Sequence, residues 1–211
     1  TVLGAQLVTI LARGEQPVLW VPECGEGEEV YALAIRLHQL LSALQLAPGF
    51  VVHGSEMDAG ALQQARAGVL TPDFAAQIPP ALKPHLMVSL TQGAEVQPAL
   101  MQRCRFHQQV LLASAPEAGV HLLSGRNLLR FLSADERRQL LLHWHDAIKP
   151  GGLLLLGPGE SVEGHADLFA PQPLAPGMFR RLPLPSPVTL PAAATAPTVS
   201  AAPAEIGRAH V

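Results

Sequence analysis

The sequence has 211 residues, of which 48% are hydrophobic, and a formal net charge of -3 at pH 7. This length predicts one domain with a substantial apolar core, and the weakly acidic balance argues against a nucleic-acid or anionic-membrane partner. No apolar stretch reaches the roughly 18 residues of a membrane-spanning helix, so membrane insertion is not expected. Cys24 and Cys104 lack Cys-x-x-Cys spacing and are typical of reduced thiols in a cytoplasmic protein.

The first elements in chain order are a helix and a buried strand that ends in a glycine-containing loop. Apolar residues at helical spacing predict a helix from Val2 to Ala12. The apolar run from Val18 to Val21 predicts a buried strand, and Gly25 and Gly27 follow it before a helix that begins at Glu28.

The loop with Gly25 and Gly27 has the features of a small-molecule site. Glycines at a strand-to-helix junction let the backbone approach a ligand, and the first helical turn offers free N–H donors. The loop lacks the third glycine of a dinucleotide fingerprint, and Glu28 and Glu29 lie where a pyrophosphate would bind. These carboxylates favour a ligand with a cationic head, such as S-adenosylmethionine, although an ordinary tight turn is the alternative. We interpret Cys24 as a small loop residue, because no histidine lies at a nucleophile's spacing.

A second helix and strand follow this loop. Val30 to Leu46 repeats apolar residues at helical spacing, and Phe50 to Ser55 predicts a strand that a right-handed crossover makes parallel to the first. Glu56 ends that strand, where a carboxylate can accept both hydroxyls of a ribose. The alternative role for Glu56 is to cap the helix predicted from Ala59 to Ala67, although Asp58 is the better candidate for that cap.

Prolines interrupt the pattern between Thr71 and Pro98, and only short strands are predicted there and just after it. Leu86 to Leu90 predicts one strand, and a loosely alternating run predicts a second from about Arg105 to Leu112. We interpret both as a small excursion before the main sheet resumes.

Alternating strands and helices are predicted again further along the chain. A capping box from Ser133 to Glu136 begins a helix that ends at Ile148. His143 and His145, two residues apart on this helix, are expected on a solvated face and not as a metal pair. Lys149 to Gly152 predicts a turn. The strands predicted in this region are Val120 to Ser124, Leu153 to Leu156 and, at an edge of the sheet, Met178 to Leu182.

The composition changes after Leu182. Pro183 to Pro203 is a Pro/Ala/Thr/Ser tract that cannot form an apolar core. We therefore expect a domain over residues 1–182 and a linker over residues 183–204. Residues 205–211 resemble translated sequencing-adapter read-through, and we interpret them as an artefact.

Five segments together carry a resemblance to a known family: Gly27 to Ala34, Ser55 to Asp58, Gly125 to Asn127, Lys149 to Gly152 and Gly157 to Glu160. Over about Val2 to Leu182 the sequence resembles the CheR-type chemotaxis receptor methyltransferases. That family has a Gly-Glu-Glu-x-Tyr-Ser-x-Ala motif, a Cys-Arg-Asn turn and a closing Gly-x-Ser-Glu, which correspond to the first, third and fifth of these segments.

The resemblance implies an α/β fold with a Rossmann-like, seven-stranded class I methyltransferase sheet, mostly parallel with an antiparallel edge strand. It implies methyl transfer from S-adenosylmethionine to glutamate side-chain carboxylates of a receptor cytoplasmic domain, giving methyl esters without a metal. The chain begins without methionine, inside its first predicted helix, and the family's upstream helical domain is absent from it. We therefore expect the natural protein to extend upstream.

For the site, the resemblance implies that Glu28 contacts the cofactor, that Glu56 holds its ribose, and that Arg126 and Asn127 line the cofactor or substrate side. Arg126 is the catalytic candidate, because a bidentate guanidinium can position a carboxylate, and a surface ion pair is its alternative role. The predicted cofactor-binding residues are Gly25, Gly27, Glu28, Glu56, Val110, Leu111, Arg126 and Asn127.

Three positions depart from the family pattern. Val110 precedes Leu111 where the family has Asn-Leu, His121 replaces an aspartate, and Phe131 replaces a tyrosine and so loses a hydroxyl. These departures motivate a second hypothesis, a degenerate module that binds cofactor or protein without catalysis. A nicotinamide-dependent oxidoreductase is a weaker third, because the glycine fingerprint is incomplete.

Overall fold

The computed structural model describes residues 2–47, 49–77, 80, 86–89, 93–112 and 119–184. Beyond Leu184, the predicted linker and the interpreted artefact lie outside the described residues. Within those ranges, no helix combines the length and apolar character needed to cross a membrane. The helices are α1 (Val2–Ala12), α2 (Glu28–Ala43), α3 (Ala59–Ala67), α4 (Pro72–Gln77), α5 (Pro98–Met101) and α6 (Ala134–Ala147). The strands are β1 (Val18–Pro22), β2 (Val51–Glu56), β3 (Val69–Leu70), β4 (Leu86–Ser89), β5 (Gly93–Val96), β6 (Cys104–Gln108), β7 (Val120–Ser124), β8 (Ile148–Leu155), β9 (Phe169–Pro171) and β10 (Met178–Arg181).

The central feature is a seven-stranded sheet with the strand order β6-β2-β1-β7-β8-β10-β9. Its first five strands are parallel, and β10 is antiparallel to both β8 and β9. This confirms the predicted seven-stranded, mostly parallel sheet. The predicted edge position of β10 is wrong, because β9 pairs with its outer side and forms the edge. With three residues, β9 is too short to show alternation in sequence.

The sheet separates two apolar cores, which explains why every position of β1 is buried. On one face, Leu19 and Val21 pack in a cluster with the apolar stripe of α2, including Leu37. On the other face, Trp20 packs in a cluster with Trp144 of α6. Because successive strand residues point to opposite faces, a strand between two helical layers needs apolar residues at every position.

Two predictions about the sheet were wrong. Cys104–Gln108 pairs with β2 in parallel over five positions, so this strand belongs to the main sheet. The excursion is only the small antiparallel sheet of β3, β5 and β4. Lys149 to Gly152 does not form a turn but lies within β8, where the register with β7 shifts between Val120 and Leu122. Gly151, with φ of 73°, allows this irregularity, so the Pro-Gly-Gly sequence encodes a bulge and not a chain reversal.

The helix caps were predicted correctly, whereas the environment of one histidine was not. The Ser133 hydroxyl accepts a hydrogen bond from the Glu136 N–H, and the Glu136 carboxylate accepts one from the Ser133 N–H, which confirms the capping box. His145 is fully buried instead of solvated. Its ring lies edge-on to Phe169, and its Nε2 lies 2.7 Å from the Leu182 carbonyl, because the last strands cover this face of α6.

Candidate functional site

The loop between β1 and α2 opens at the carboxyl edge of the sheet. The Cys24 N–H donates to the Ser55 carbonyl at 3.0 Å, and the Gly27 N–H donates to the Cys24 carbonyl at 3.0 Å. Gly25 and Gly27 have φ of 54° and 87°, which disfavour any residue with a side chain. These glycines therefore let the chain pass from the strand into α2 within one tight loop, as the sequence predicted.

The Glu56 carboxylate fastens this loop to the end of β2. It accepts hydrogen bonds from the N–H of Gly25 at 3.0 Å, of Met57 at 2.8 Å and of Asp58 at 3.0 Å. Asp58, and not Glu56, is the N-cap of α3, since its Oδ1 accepts from the Ala61 N–H at 2.7 Å. The cap prediction for Asp58 is thus confirmed. Ribose binding by Glu56 stays a prediction, with its carboxylate at the end of β2 as its structural basis.

Replacing Glu56 by alanine is expected to weaken S-adenosylhomocysteine binding by about 1.5 to 3 kcal/mol, the range for losing hydrogen bonds to a charged group. Calorimetric titration of the full-length protein measures this loss. Asp58→Ala is the matched control, because it removes a neighbouring carboxylate that caps a helix and should lower stability by about 1 kcal/mol without changing affinity. Equal affinities for wild type and Glu56→Ala would reject the ribose role.

The opposite side of the loop faces the carboxyl end of β7. The Ser124 hydroxyl donates a hydrogen bond to Glu29 Oε1, and Arg126 Nη1 lies 3.9 Å from the same oxygen. Burial raises the pKa of Glu29, and the contacts with Ser124 and Arg126 oppose that shift. The ion pair is loose and the Arg126 side chain is 41% exposed, so its guanidinium retains donors for a ligand.

Glu160 connects the loops that follow β7 and β8. Its carboxylate accepts hydrogen bonds from the N–H of Asn127 at 2.7 Å, of Leu129 at 2.9 Å and of Gly157 at 2.9 Å. Asn127 has φ of 65°, so these contacts hold a left-handed turn directly after Arg126. No contact was predicted from the sequence for Glu160, and Glu29 was predicted only as one of two carboxylates at the start of α2. The sequence feature that could have indicated Glu160 is its position at the end of the segment Gly157 to Glu160, which matches the family's closing Gly-x-Ser-Glu.

These loops enclose an open cleft of about 420 Å³, within the roughly 300–1,000 Å³ of small-molecule sites. The predicted residues that line it are Gly25, Glu28, Arg126 and Asn127. Gly27 and Glu56 adjoin the lining: the Gly27 N–H donates to the Cys24 carbonyl, and the Glu56 carboxylate accepts from the Gly25 N–H. Val110 and Leu111 are not among the lining residues: Val110 is half-exposed beyond β6, and Leu111 packs against the core that contains Trp144.

The cleft's chemistry fits a cationic ligand. Four glutamates, Glu23, Glu26, Glu28 and Glu29, line it together with Arg126. Burial, and next the nearby Glu56, raise the pKa of Glu23, as expected where negative charges gather. Such a lining disfavours a pyrophosphate and suits the sulfonium and ammonium groups of S-adenosylmethionine.

Cys24 lines the same cleft, but its thiol is not activated. Burial, with the nearby Glu56 and Glu23 carboxylates, raises the pKa of Cys24 to about 12, and burial raises that of Cys104 to about 12. We expect both thiols of the folded protein to react with a disulfide reagent at pH 8 at least about 100-fold more slowly than in urea, because the thiolate is the reactive form. A stopped-flow thiol titration measures this ratio. Fast reaction of one folded thiol would restore the nucleophile hypothesis.

The other two departures from the family pattern, like Val110, lie apart from the cleft lining. His121 lies at the amino end of the sheet, where its Nδ1 accepts the Val18 N–H at 3.1 Å and its Nε2 faces Glu15 at 3.1 Å. Burial lowers the pKa of His121, so the neutral ring is favoured. Phe131 is 78% exposed, and the Arg130 guanidinium lies 5.1 Å from its ring centre.

The chain matches, over residues 2–177, the family described as CheR methyltransferase, SAM binding domain. The chain belongs to this family. The ligand in the family's description, S-adenosylmethionine, is the predicted cofactor. The match ends shortly before β10, so it includes all the loops of the candidate site.

Curated relatives include two chemotaxis protein methyltransferases. Chemotaxis protein methyltransferase 1 of Pseudomonas aeruginosa is 28% identical over 180 residues, which are 82% of this chain and 65% of that protein. The chemotaxis protein methyltransferase of Vibrio parahaemolyticus is 27% identical over 193 residues, 86% of this chain and 68% of its own length. The chain therefore spans about two thirds of these relatives.

Partial matches among solved structures include two further methyltransferases. The glycopeptide N-methyltransferase MtfA matches with a TM-score of 0.41 and 17% identity, over 72% of this chain and 55% of that one. A putative O-methyltransferase from Nostoc punctiforme matches with a TM-score of 0.43 and 16% identity, over 72% of this chain and 35% of that one.

Proposed function

We propose that this chain is the cofactor-binding part of an enzyme that methylates glutamate side-chain carboxylates of a chemotaxis-type receptor, forming methyl esters. The observation that carries the proposal is the half-exposed guanidinium of Arg126 at the margin of a carboxylate-lined cleft. The carboxylates suit a cationic methyl donor, and the guanidinium suits an anionic acceptor. The names of the two bacterial relatives agree with this activity.

The cofactor, when bound, supplies an electrophilic methyl group on a positively charged sulfur. Gly25, Glu28 and Asn127 would hold it in the cleft, and Glu56 would hold its ribose. A receptor glutamate is ionised at neutral pH, so no residue of the chain has to remove a proton from it. The task of the chain is to orient the carboxylate and to exclude water.

Arg126 is the residue that would orient the acceptor. Its guanidinium can donate two parallel hydrogen bonds to one carboxylate, which fixes the direction of the acceptor oxygens. The Glu29 carboxylate, held by Ser124, restrains the guanidinium from the cofactor side. Glu160 orders the turn that follows, so the Arg126 backbone is anchored.

A non-catalytic binding module is the second candidate function. Val110 and Phe131 present apolar groups that are 54% and 78% exposed, at positions where the family pattern has an amide and a hydroxyl. Neither residue lines the cofactor cleft, and a missing neutral hydrogen bond costs only roughly 0.5 to 1.5 kcal/mol, so these changes reduce cofactor affinity modestly at most. We therefore favour a slow enzyme over an inactive one.

Labelling separates the two functions. The full-length protein is incubated with methyl-labelled S-adenosylmethionine and receptor cytoplasmic domains from the same source, and base-labile methyl ester is counted. The control is the same receptor domain with its glutamates replaced by glutamine, which should take up no label. Confirmed cofactor binding without label on any receptor would reject the enzyme and leave the binding module.

A further inference from the structure

A small pocket lies at the amino end of the parallel strands, opposite the edge that carries the candidate site. Its walls come from α1 and the loop that follows it, the start of β7, the irregular part of β8, and β10. It encloses about 100 Å³, which is room for several water molecules but well below the roughly 300–1,000 Å³ of sites that enclose a whole small molecule. The pocket therefore has the size of one end group of a ligand.

The pocket has more positive than negative charge. Arg13, Lys149 and Arg180 line it, and Glu15 is the one carboxylate among the described residues that do so. The Glu15 Oε2 atom accepts a hydrogen bond from Lys149 Nζ, which lowers the pKa of Glu15 and balances the charges of this pair. The guanidiniums of Arg13 and Arg180 are therefore the surplus charge of the pocket.

Arg180 is half-buried, yet its hydrogen-bond partners among the described residues are all neutral. Its Nη1 donates to the Gly151 carbonyl at 2.8 Å and to Gln6 Oε1 at 3.4 Å, and its Nη2 donates to Gln172 Oε1 at 3.3 Å. A charged group that is partly removed from water usually has a partner of opposite charge. A guanidinium has more N–H donors than these contacts use, so Arg180 is held in place and can still bind an anion.

Arg13 supplies the second guanidinium from the other side of the pocket. Its side chain is exposed and makes no hydrogen bond or ion pair within the described part of the chain, so its donors are available to a ligand. Donors that come from both α1 and β10 suit the tetrahedral oxygens of a phosphate, which guanidiniums bind with paired hydrogen bonds. A phosphate monoester carries about -1.5 to -2 charges at pH 7, which matches the two surplus guanidiniums.

His121 contributes to this charge balance, because the family pattern has an aspartate at its position. The His121 Nδ1 accepts the Val18 N–H, so the ring proton lies on Nε2, which donates to Glu15. Burial lowers the pKa of His121, so a neutral ring lines the pocket. An aspartate would place a second carboxylate beside Glu15 and offset one of the surplus charges. The cationic character of the pocket therefore belongs to this chain and not to the family pattern.

We propose that this pocket binds the phosphate group of a small phosphate monoester through Arg13 and Arg180. The rest of the ligand extends into solvent, since the pocket holds only an end group. Because the pocket and the cofactor cleft lie at opposite ends of the strands, the two ligands do not compete. This inference does not depend on the proposed function.

The test measures binding of glycerol 3-phosphate to the full-length protein by calorimetric titration at constant ionic strength. Arg180→Gln should weaken binding at least about tenfold and Arg13→Gln at least about fivefold, because each loses hydrogen bonds between charged groups. Arg105→Gln is the matched control. Arg105 also donates to neutral oxygens, the carbonyls of Gln102 and Cys104, but it lies on β6 and does not line the pocket. It should change the affinity less than about twofold.

Two further variants should shift the affinity in opposite directions, which a general loss of folding would not do. Glu15→Gln removes the carboxylate of the pocket and should tighten binding at least about threefold, whereas His121→Asp adds a carboxylate and should weaken it at least about tenfold. If Arg180→Gln does not fold, Arg13→Gln and Glu15→Gln decide the question, since the Arg13 side chain has no contact within the described residues to lose.

Inorganic phosphate and acetate are titrated in the same way. Inorganic phosphate that binds as tightly as the ester would support the site, with the free ion as its ligand. Acetate that binds as tightly as the ester would overturn the assignment to phosphate. The absence of saturable binding of either phosphate by the wild type would overturn the inference. Equal affinities of the wild type, Arg13→Gln and Arg180→Gln would also overturn it, because the phosphate would then bind elsewhere.

Discussion

Replacing Arg126 by alanine is expected to lower the rate of methyl transfer to the receptor at least about 100-fold, because a misplaced acceptor loses the proximity that drives the reaction. Cofactor affinity should fall no more than about tenfold, since the glutamates and the glycine loop remain. Single-turnover labelling and calorimetric titration of the full-length protein measure the two effects separately. Arg126→Lys should retain part of the rate, because a lysine keeps the charge but not the bidentate geometry.

Arg130→Ala is the matched control for this experiment. Arg130 is also an exposed arginine between β7 and α6, but its guanidinium lies over the Phe131 ring and it does not line the cleft of the candidate site. It should therefore retain the wild-type rate within a few-fold. If Arg126→Ala reduced cofactor affinity as strongly as the rate, Arg126 would be a cofactor ligand and not the residue that orients the acceptor.

Replacing Gly125 by alanine is expected to destabilise the fold by about 3 kcal/mol, at the upper end of the cost of overpacking a core. An added Cβ would lie 2.2 and 2.4 Å from two ring carbons of Trp144, which is fully buried. This contact explains why glycine stands where the family pattern has cysteine. Urea unfolding followed by tryptophan fluorescence measures the change.

Two further variants test this explanation. Gly49→Ala adds a Cβ that would meet no atom within 4 Å, so its effect on stability should be within about 0.5 kcal/mol. A double-mutant cycle of Gly125→Ala with Trp144→Leu should show a favourable coupling of at least about 1.5 kcal/mol, because the smaller side chain relieves the clash. Additive effects in this cycle would mean that Trp144 does not set the requirement for glycine.

Much of the fold is determined by local patterns in the sequence. The apolar run of β1, the glycine loop and the stripe of α2 predict a strand, a turn and a helix, because side-chain periodicity and backbone freedom act over a few residues. The caps at Asp58 and Ser133 were predicted for the same reason, since each accepts a hydrogen bond from an N–H three residues away.

The tertiary structure alone decided which of these elements are neighbours and which of the loops at their ends together form the candidate site. The bulge in β8 and the burial of His145 depend on β7 and on the last strands, and the same local sequence is compatible with a turn or a solvated face. The site depends on contacts between distant residues: Ser124 and Glu29 are 95 positions apart, and Asn127 and Glu160 are 33 apart. A periodic pattern carries no information about such pairs, because the hydrogen bonds form only after the sheet has brought the carboxyl ends of its strands to one edge.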